Sequence, residues 1–82
     1  MRFMKSSLLQ LSIGQQGVIE KINANQAIRE RLHSLGLIEG VKIIPIKKTF
    51  LGCPRIYQCL NTFIAIRNRT AEQIYLKQSN EK

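Results

Sequence analysis

Glycine breaks this chain before any long element can form. Gly14, Gly17, Gly36, Gly40 and Gly52 are spread through 82 residues, and Pro45 and Pro54 add two further interruptions. Glycine adopts φ > 0 without the Cβ clash that other residues meet, so each one marks a turn or a helix end. The apolar runs left between these breaks have strand lengths, and only the stretch before Gly36 leaves room for a helix as well. A chain this short builds one core, so residues 1–82 are expected to form a single domain.

Residues 8–13 carry Leu8, Leu9, Leu11 and Ile13, which suits a single helical turn leading into the Gly14–Gly17 turn. No Lys-Ser or Lys-Thr follows that pair, so it reads as a turn into a strand and not as a phosphate loop. Residues 18–22 are β-branched and predict a strand. Residues 23–35 predict the one α-helix. Asn23 and Gln26 have capping-box spacing, Asn25 is a rival N-cap, and Ala27, Ile28, Leu32 and Leu35 fall on one face. Gly36 stands where a left-handed C-cap is needed, with Leu37 placed to pack back on Leu32.

After a turn at Ile38–Gly40, residues 41–48 alternate, with Ile44 and Ile46 on one face and Val41 and Ile43 on the other. Pro45 cannot donate to a ladder, which predicts an edge strand or a bulge there. Residues 49–54 read as a loop, and 55–60 and 63–67 as a hairpin turning at Asn61-Thr62, with Phe63 in the core. Residues 68–73 suit one helical turn, 74–77 a last short strand, and 1–6 and 79–82 frayed ends. The expected fold is mainly β: a small SH3-like barrel of about five short strands with one α-helix inserted after the first strand. Closure protects strand edges that an open sheet of this length would expose. Gly14, Gly17, Gly36 and Gly40 are its structural turn and cap residues.

The chemistry available is narrow. His33 is the single histidine and falls on a solvated helix face, while the five acids are all Glu and scattered. No paired carboxylates or nucleophile–base pair emerges, which points to binding and away from catalysis. Cys53 and Cys59 are too far apart for a C-x-x-C site, and with His33 they would still leave a structural zinc one ligand short. They are read as ordinary reduced thiols, Cys59 inside and Cys53 on a loop. A metal-sensing module built on the two is the third functional reading, and neither a metal nor a cofactor is assigned.

Thirteen Lys and Arg against five acids give a net charge of +8, a field that attracts nucleic acid, anionic lipid or an acidic protein face. No run reaches the roughly 20 apolar residues of a membrane span, and the basic start lacks a signal peptide's apolar stretch, so the cytoplasm is the expected location. The loop at 49–54 sets Phe50 and Leu51 among Lys47, Lys48 and Arg55. These five are the candidate partner-binding residues; alternatively, Phe50 folds back as a lid on the barrel. The aromatics form no run of the kind nucleic-acid modules use for stacking, so a free-standing nucleic-acid-binding barrel is the second reading.

The order Leu11, Gly14, Gly17, Ile19, Ile22, then Arg31-Leu32, Leu35-Gly36-Leu37 and Gly40 resembles the FeoA family. So do the Gly52-x-Pro54 loop, the strand Ile64-Ala65-Ile66-Arg67, and Ala71 with Ile74. The resemblance runs from about Leu8 to Leu76. It departs at Glu39, where the family often has Pro, and at Cys53, where Asp is usual. It implies an SH3-like barrel in a cytoplasmic accessory protein of bacterial ferrous iron uptake. Its expected partner is the cytosolic part of a membrane iron permease that carries a GTP-binding domain. That partner would recruit the chain to the inner face of the membrane.

Overall fold

The computed structural model describes residues 6–77. A 3₁₀ turn, Leu8–Gln10, opens it and is followed by strand β1, Gly17–Ile22. Helix α1 is Gln26–Ser34, after which β2 (Lys42–Lys48), β3 (Arg55–Cys59) and β4 (Thr62–Ile66) form an antiparallel meander. A short helix α2, Asn68–Ala71, leads to β5, Ile74–Leu76. The sheet order is β4-β3-β2-β1-β5, so β5 pairs antiparallel with β1.

All five strands send side chains into one core: Ile19 and Ile22, Ile43, Tyr57 and Cys59, Ile64 and Ile66, Ile74 and Leu76. Leu8 from the 3₁₀ turn, Leu32 from the helix, Leu37 just beyond it, and Ala71 complete it. Burying one such aliphatic side chain contributes about 1.5–3 kcal/mol. Gly17, expected as a turn residue, instead opens β1 without a positive φ, and a Cβ there would meet only side-chain tips, Leu76 Cδ1 at 2.9 Å and Leu11 Cδ2 at 3.0 Å.

Helix α1 starts later than expected. Asn25 is its N-cap, its side chain accepting from the Ile28 N–H at 2.9 Å. Asn23 is taken by the sheet, its N–H donating to Gln73 O at 2.7 Å. The helix stops in a Schellman motif: the Leu37 N–H reaches Leu32 O at 2.9 Å, the Gly36 N–H reaches His33 O at 3.0 Å, and Gly36 has φ +99°. Its apolar stripe is narrow. Leu32 is buried and Ile28 half-buried, but Ala27 and Leu35 are exposed.

Pro45 is buried, and the β2–β3 register shifts between Pro45 and Lys47, so the proline sits at a bulge. The β3–β4 turn is Leu60-Asn61, one residue earlier than expected, with Cys59 opposite Thr62. Burial decides this. Cys59, Ile64 and Ile66 all face inward, which fixes the register and drives Leu60 to φ +60°. The same alternation turns Phe63 outward, where it is 64% exposed, in place of the core position expected for it. At the chain ends, the segments expected to fray lie outside the described residues except Ser6. Its C=O accepts from the Leu76 N–H at 2.8 Å, and Ser7 bridges to Tyr75.

Candidate functional site

The β2–β3 connection follows the Lys48–Arg55 pair that ends the β2–β3 ladder. Its base is fixed by the Gly52 N–H bond to Thr49 O at 2.9 Å, and by Cys53 Sγ, which accepts from the Asn68 N–H at 3.3 Å. Between these ties Phe50 is 99% exposed and Leu51 84%, so Phe50 stands clear of the core and covers nothing. Lys47 and Lys48, at the end of β2, are exposed beside them. Two apolar side chains thus stand in water at the end of this connection, flanked by cations, and their removal from water would be favourable.

Arg55 is not part of that tip. It is 6% exposed, with Nη1 donating to Leu9 O at 2.8 Å and Nη2 to Leu11 O at 2.9 Å. Its guanidinium carbon lies 5.6 Å from the centre of the Tyr57 ring. The side chain therefore fastens the 3₁₀ turn to the sheet and is withdrawn from any partner. Its place in the alternation Arg55, Tyr57, Cys59 was the available signal, because β3 buries every second residue.

A second apolar surface, missed in the sequence, covers the outer face of the meander. Ile44, Gln58 and Phe63 are in register across β2, β3 and β4. Beside them a cleft of about 460 Å³ is lined by Val41, Ile44 and Leu60 among others. Leu60 is 65% exposed. Outward-facing Phe63 could have been read from its alternation with Ile64 and Ile66.

The polar groups offer little chemistry. His33 Nε2 lies 3.7 Å from Glu39 Oε1, both side chains being well exposed. Among the described residues no three His, Cys, Asp or Glu side chains gather where a metal could be held. Cys53 is exposed and Cys59 buried, and strand β3 separates them by on the order of 15 Å of extended chain. The Cys59 thiol contacts Gly36 O at 3.7 Å, and burial pushes its pKa up. Tyr57 is likewise pushed up by burial, an effect partly offset by the nearby Arg55 charge. No helix is long and apolar enough to cross a membrane among the described residues.

Comparison with known proteins places this architecture. The family model of the FeoA domain matches residues 6–78. The FeoA protein of Chlorobium tepidum superposes with a TM-score of 0.84 at 27% identity, over 94% of this chain and 74% of that one. Iron(II) transport protein A of Clostridium thermocellum gives 0.82 at 25% identity, over 88% of this chain and 44% of that one. The zinc-complexed FeoA of Stenotrophomonas maltophilia gives 0.76 at 28% identity, over 92% and 91%. It is described as a prokaryotic SH3 domain protein possibly acting as a bacterial ferrous iron transport activating factor. A search of curated protein sequences gave no match. A family model spanning the whole sheet, and a fold shared with proteins of that name, show that this chain belongs to the FeoA family and is an SH3-like barrel.

Proposed function

We propose that this chain is a non-catalytic accessory protein of bacterial ferrous iron uptake that docks on the cytosolic GTP-binding part of the iron permease. Family membership supports the transport role. The observation that carries the docking mode is the exposure of Phe50 and Leu51, 99% and 84%, on a loop tied at both ends. Interfaces draw most of their energy from a few apolar or aromatic anchors, while rim charges govern approach. Phe50 and Leu51 are the anchors in this reading, and Lys47 and Lys48 steer association from the cytoplasmic side.

Titration calorimetry against the permease's cytosolic domain tests it. Phe50→Ala or Leu51→Ala weakens binding by roughly 1–3 kcal/mol, with the melting temperature unchanged. The double variant Lys47→Ala/Lys48→Ala slows association and flattens its salt dependence. Wild-type affinity in both single-residue loop variants would refute the docking role.

A further inference from the structure

The two edges of the sheet are treated differently. The outer side of β5 is occupied by the N-terminal segment, through Ser6 O to the Leu76 N–H and the Ser7–Tyr75 bridge. Strand β4, the other edge, pairs only with β3 among the described residues. In a hairpin with a two-residue turn, the pair flanking the turn exchanges both hydrogen bonds, and the pattern then alternates. Thr62, Ile64 and Ile66 are therefore bonded to β3, while Phe63 and Ala65 direct their N–H and C=O groups to the open edge. Both residues are exposed.

That edge borders a groove of about 260 Å³. One wall is α1 and its C-cap, with Arg31, Leu32 and Leu35; the other is the run of residues 64–67. Successive strand residues point to opposite faces, so a depression touched by four in a row runs along the strand's edge and its backbone. Leu35, left 45% exposed at the end of the helix, supplies an apolar wall without a partner in the fold. No acidic residue lines the groove, whereas Arg31 and Arg67 do, and neither makes an ion pair among the described residues.

We infer that the β4–α1 groove binds an extended acidic peptide segment of a partner protein, which adds as a sixth strand to the open edge. This goes beyond the loop-docking reading and does not depend on it. The strand edge supplies main-chain bonds through Phe63 and Ala65. The helix wall supplies an apolar contact at Leu35, and Arg31 and Arg67 select carboxylates. Charge decides the occupant. A second copy would bring the same arginines and another +8 to the seam, while an acidic strand is attracted to them.

The test uses the full chain, ¹⁵N-labelled, with two nine-residue probes, one alternating Val and Glu and the other Val and Lys. The Val–Glu peptide is expected to shift the Phe63 and Ala65 amides and slow their exchange, with the Val–Lys peptide at least about tenfold weaker. Ala65→Pro removes an outward N–H, which an edge strand tolerates, and should abolish binding. Arg31→Glu/Arg67→Glu leaves the edge intact and should reverse the preference between the two peptides, which keeps the inference testable if the proline variant fails to fold. Three results would overturn it. One is the absence of shifts at Phe63 and Ala65 with either peptide at millimolar concentration. Another is a response confined to Phe50 and Leu51. The third is concentration-dependent shifts at the β4 edge without peptide, which would assign the groove to a second copy.

Discussion

Replacing Arg55 by Met should cost this domain a large share of its stability. The guanidinium holds two backbone carbonyls, Leu9 O at 2.8 Å and Leu11 O at 2.9 Å, from a position that is 6% exposed. Hydrogen bonds to a charged group contribute about 1.5–3 kcal/mol each, so two would sum to roughly 3–6 if independent. Methionine keeps the aliphatic stem in place and removes the cost of holding a charge out of water, which brings the expected loss to about 2–4 kcal/mol. For a domain of this size, total stability is on the order of 4–12 kcal/mol, and each kcal/mol moves the melting temperature by about 4–8 °C. A fall of roughly 10–25 °C by calorimetry is expected. Arg55→Lys should not rescue it, because a single ammonium lacks the fork that reaches both carbonyls while its charge stays buried. Amide exchange at Gln10 and Leu11, whose N–H groups bond within the 3₁₀ turn, should accelerate more than exchange in β3. A Met variant melting within about 2 °C of wild type, or a Lys variant equal to it, would refute the clamp.

Gly36 has φ +99°, and a Cβ there would meet only Leu60 Cδ1, at 3.4 Å, so Gly36→Val should lose roughly 1–2 kcal/mol to backbone strain, and Gly36→Asn less, in urea denaturation. A thiol-specific reagent should label one exposed cysteine, Cys53, in the native state and reach buried Cys59 only on unfolding; two rapid equivalents would contradict the placement. Burial raises the folded pKa of the Cys59 thiol, so its stabilising contribution is complete below the ordinary thiol value of about 8.5 and declines as pH rises beyond it. Cys59→Ala should therefore be less stable at neutral pH but show a shallower alkaline decline, and parallel curves for the two proteins would count against this.

What could be read from the chain alone was local. The Schellman ending at Leu35-Gly36-Leu37 depends on one glycine and two flanking leucines, and it formed where that triplet stands. The strand at 42–48 followed from alternation and the others from apolar runs between turn signals, both of which need only neighbours. Three features failed because distant parts of the molecule decide them. Asn23 looked like an N-cap until the sheet claimed its N–H for Gln73. The turn at Leu60-Asn61 is set by which residues of β3 and β4 share the core, and that outweighs Leu60's aversion to positive φ. Arg55 looked like a surface cation because arginine usually is one. Its acceptors, Leu9 O and Leu11 O, are 46 and 44 positions away in sequence. Of the candidate site, the loop could be located in advance but its full exposure could not. The β4 groove was invisible, since no local signal says which strand will end at an edge.

The pairing of β5 with β1 sets an order on how this domain can be made. The meander β2-β3-β4 joins neighbours in the chain, and its contacts close small loops. Strand β1 has only a two-residue ladder to β2, and its longer partner, β5, is the fifth of the five strands to be synthesised. Loop-closure entropy delays contacts of that separation until nearer ones have formed. On the ribosome the three-stranded meander is therefore expected to be the earliest sheet, and the side of β1 that faces β5 stays uncovered until residues 74–76 emerge. A barrel whose first strand is completed by its fifth commits to the native fold only once the whole sheet has left the exit tunnel.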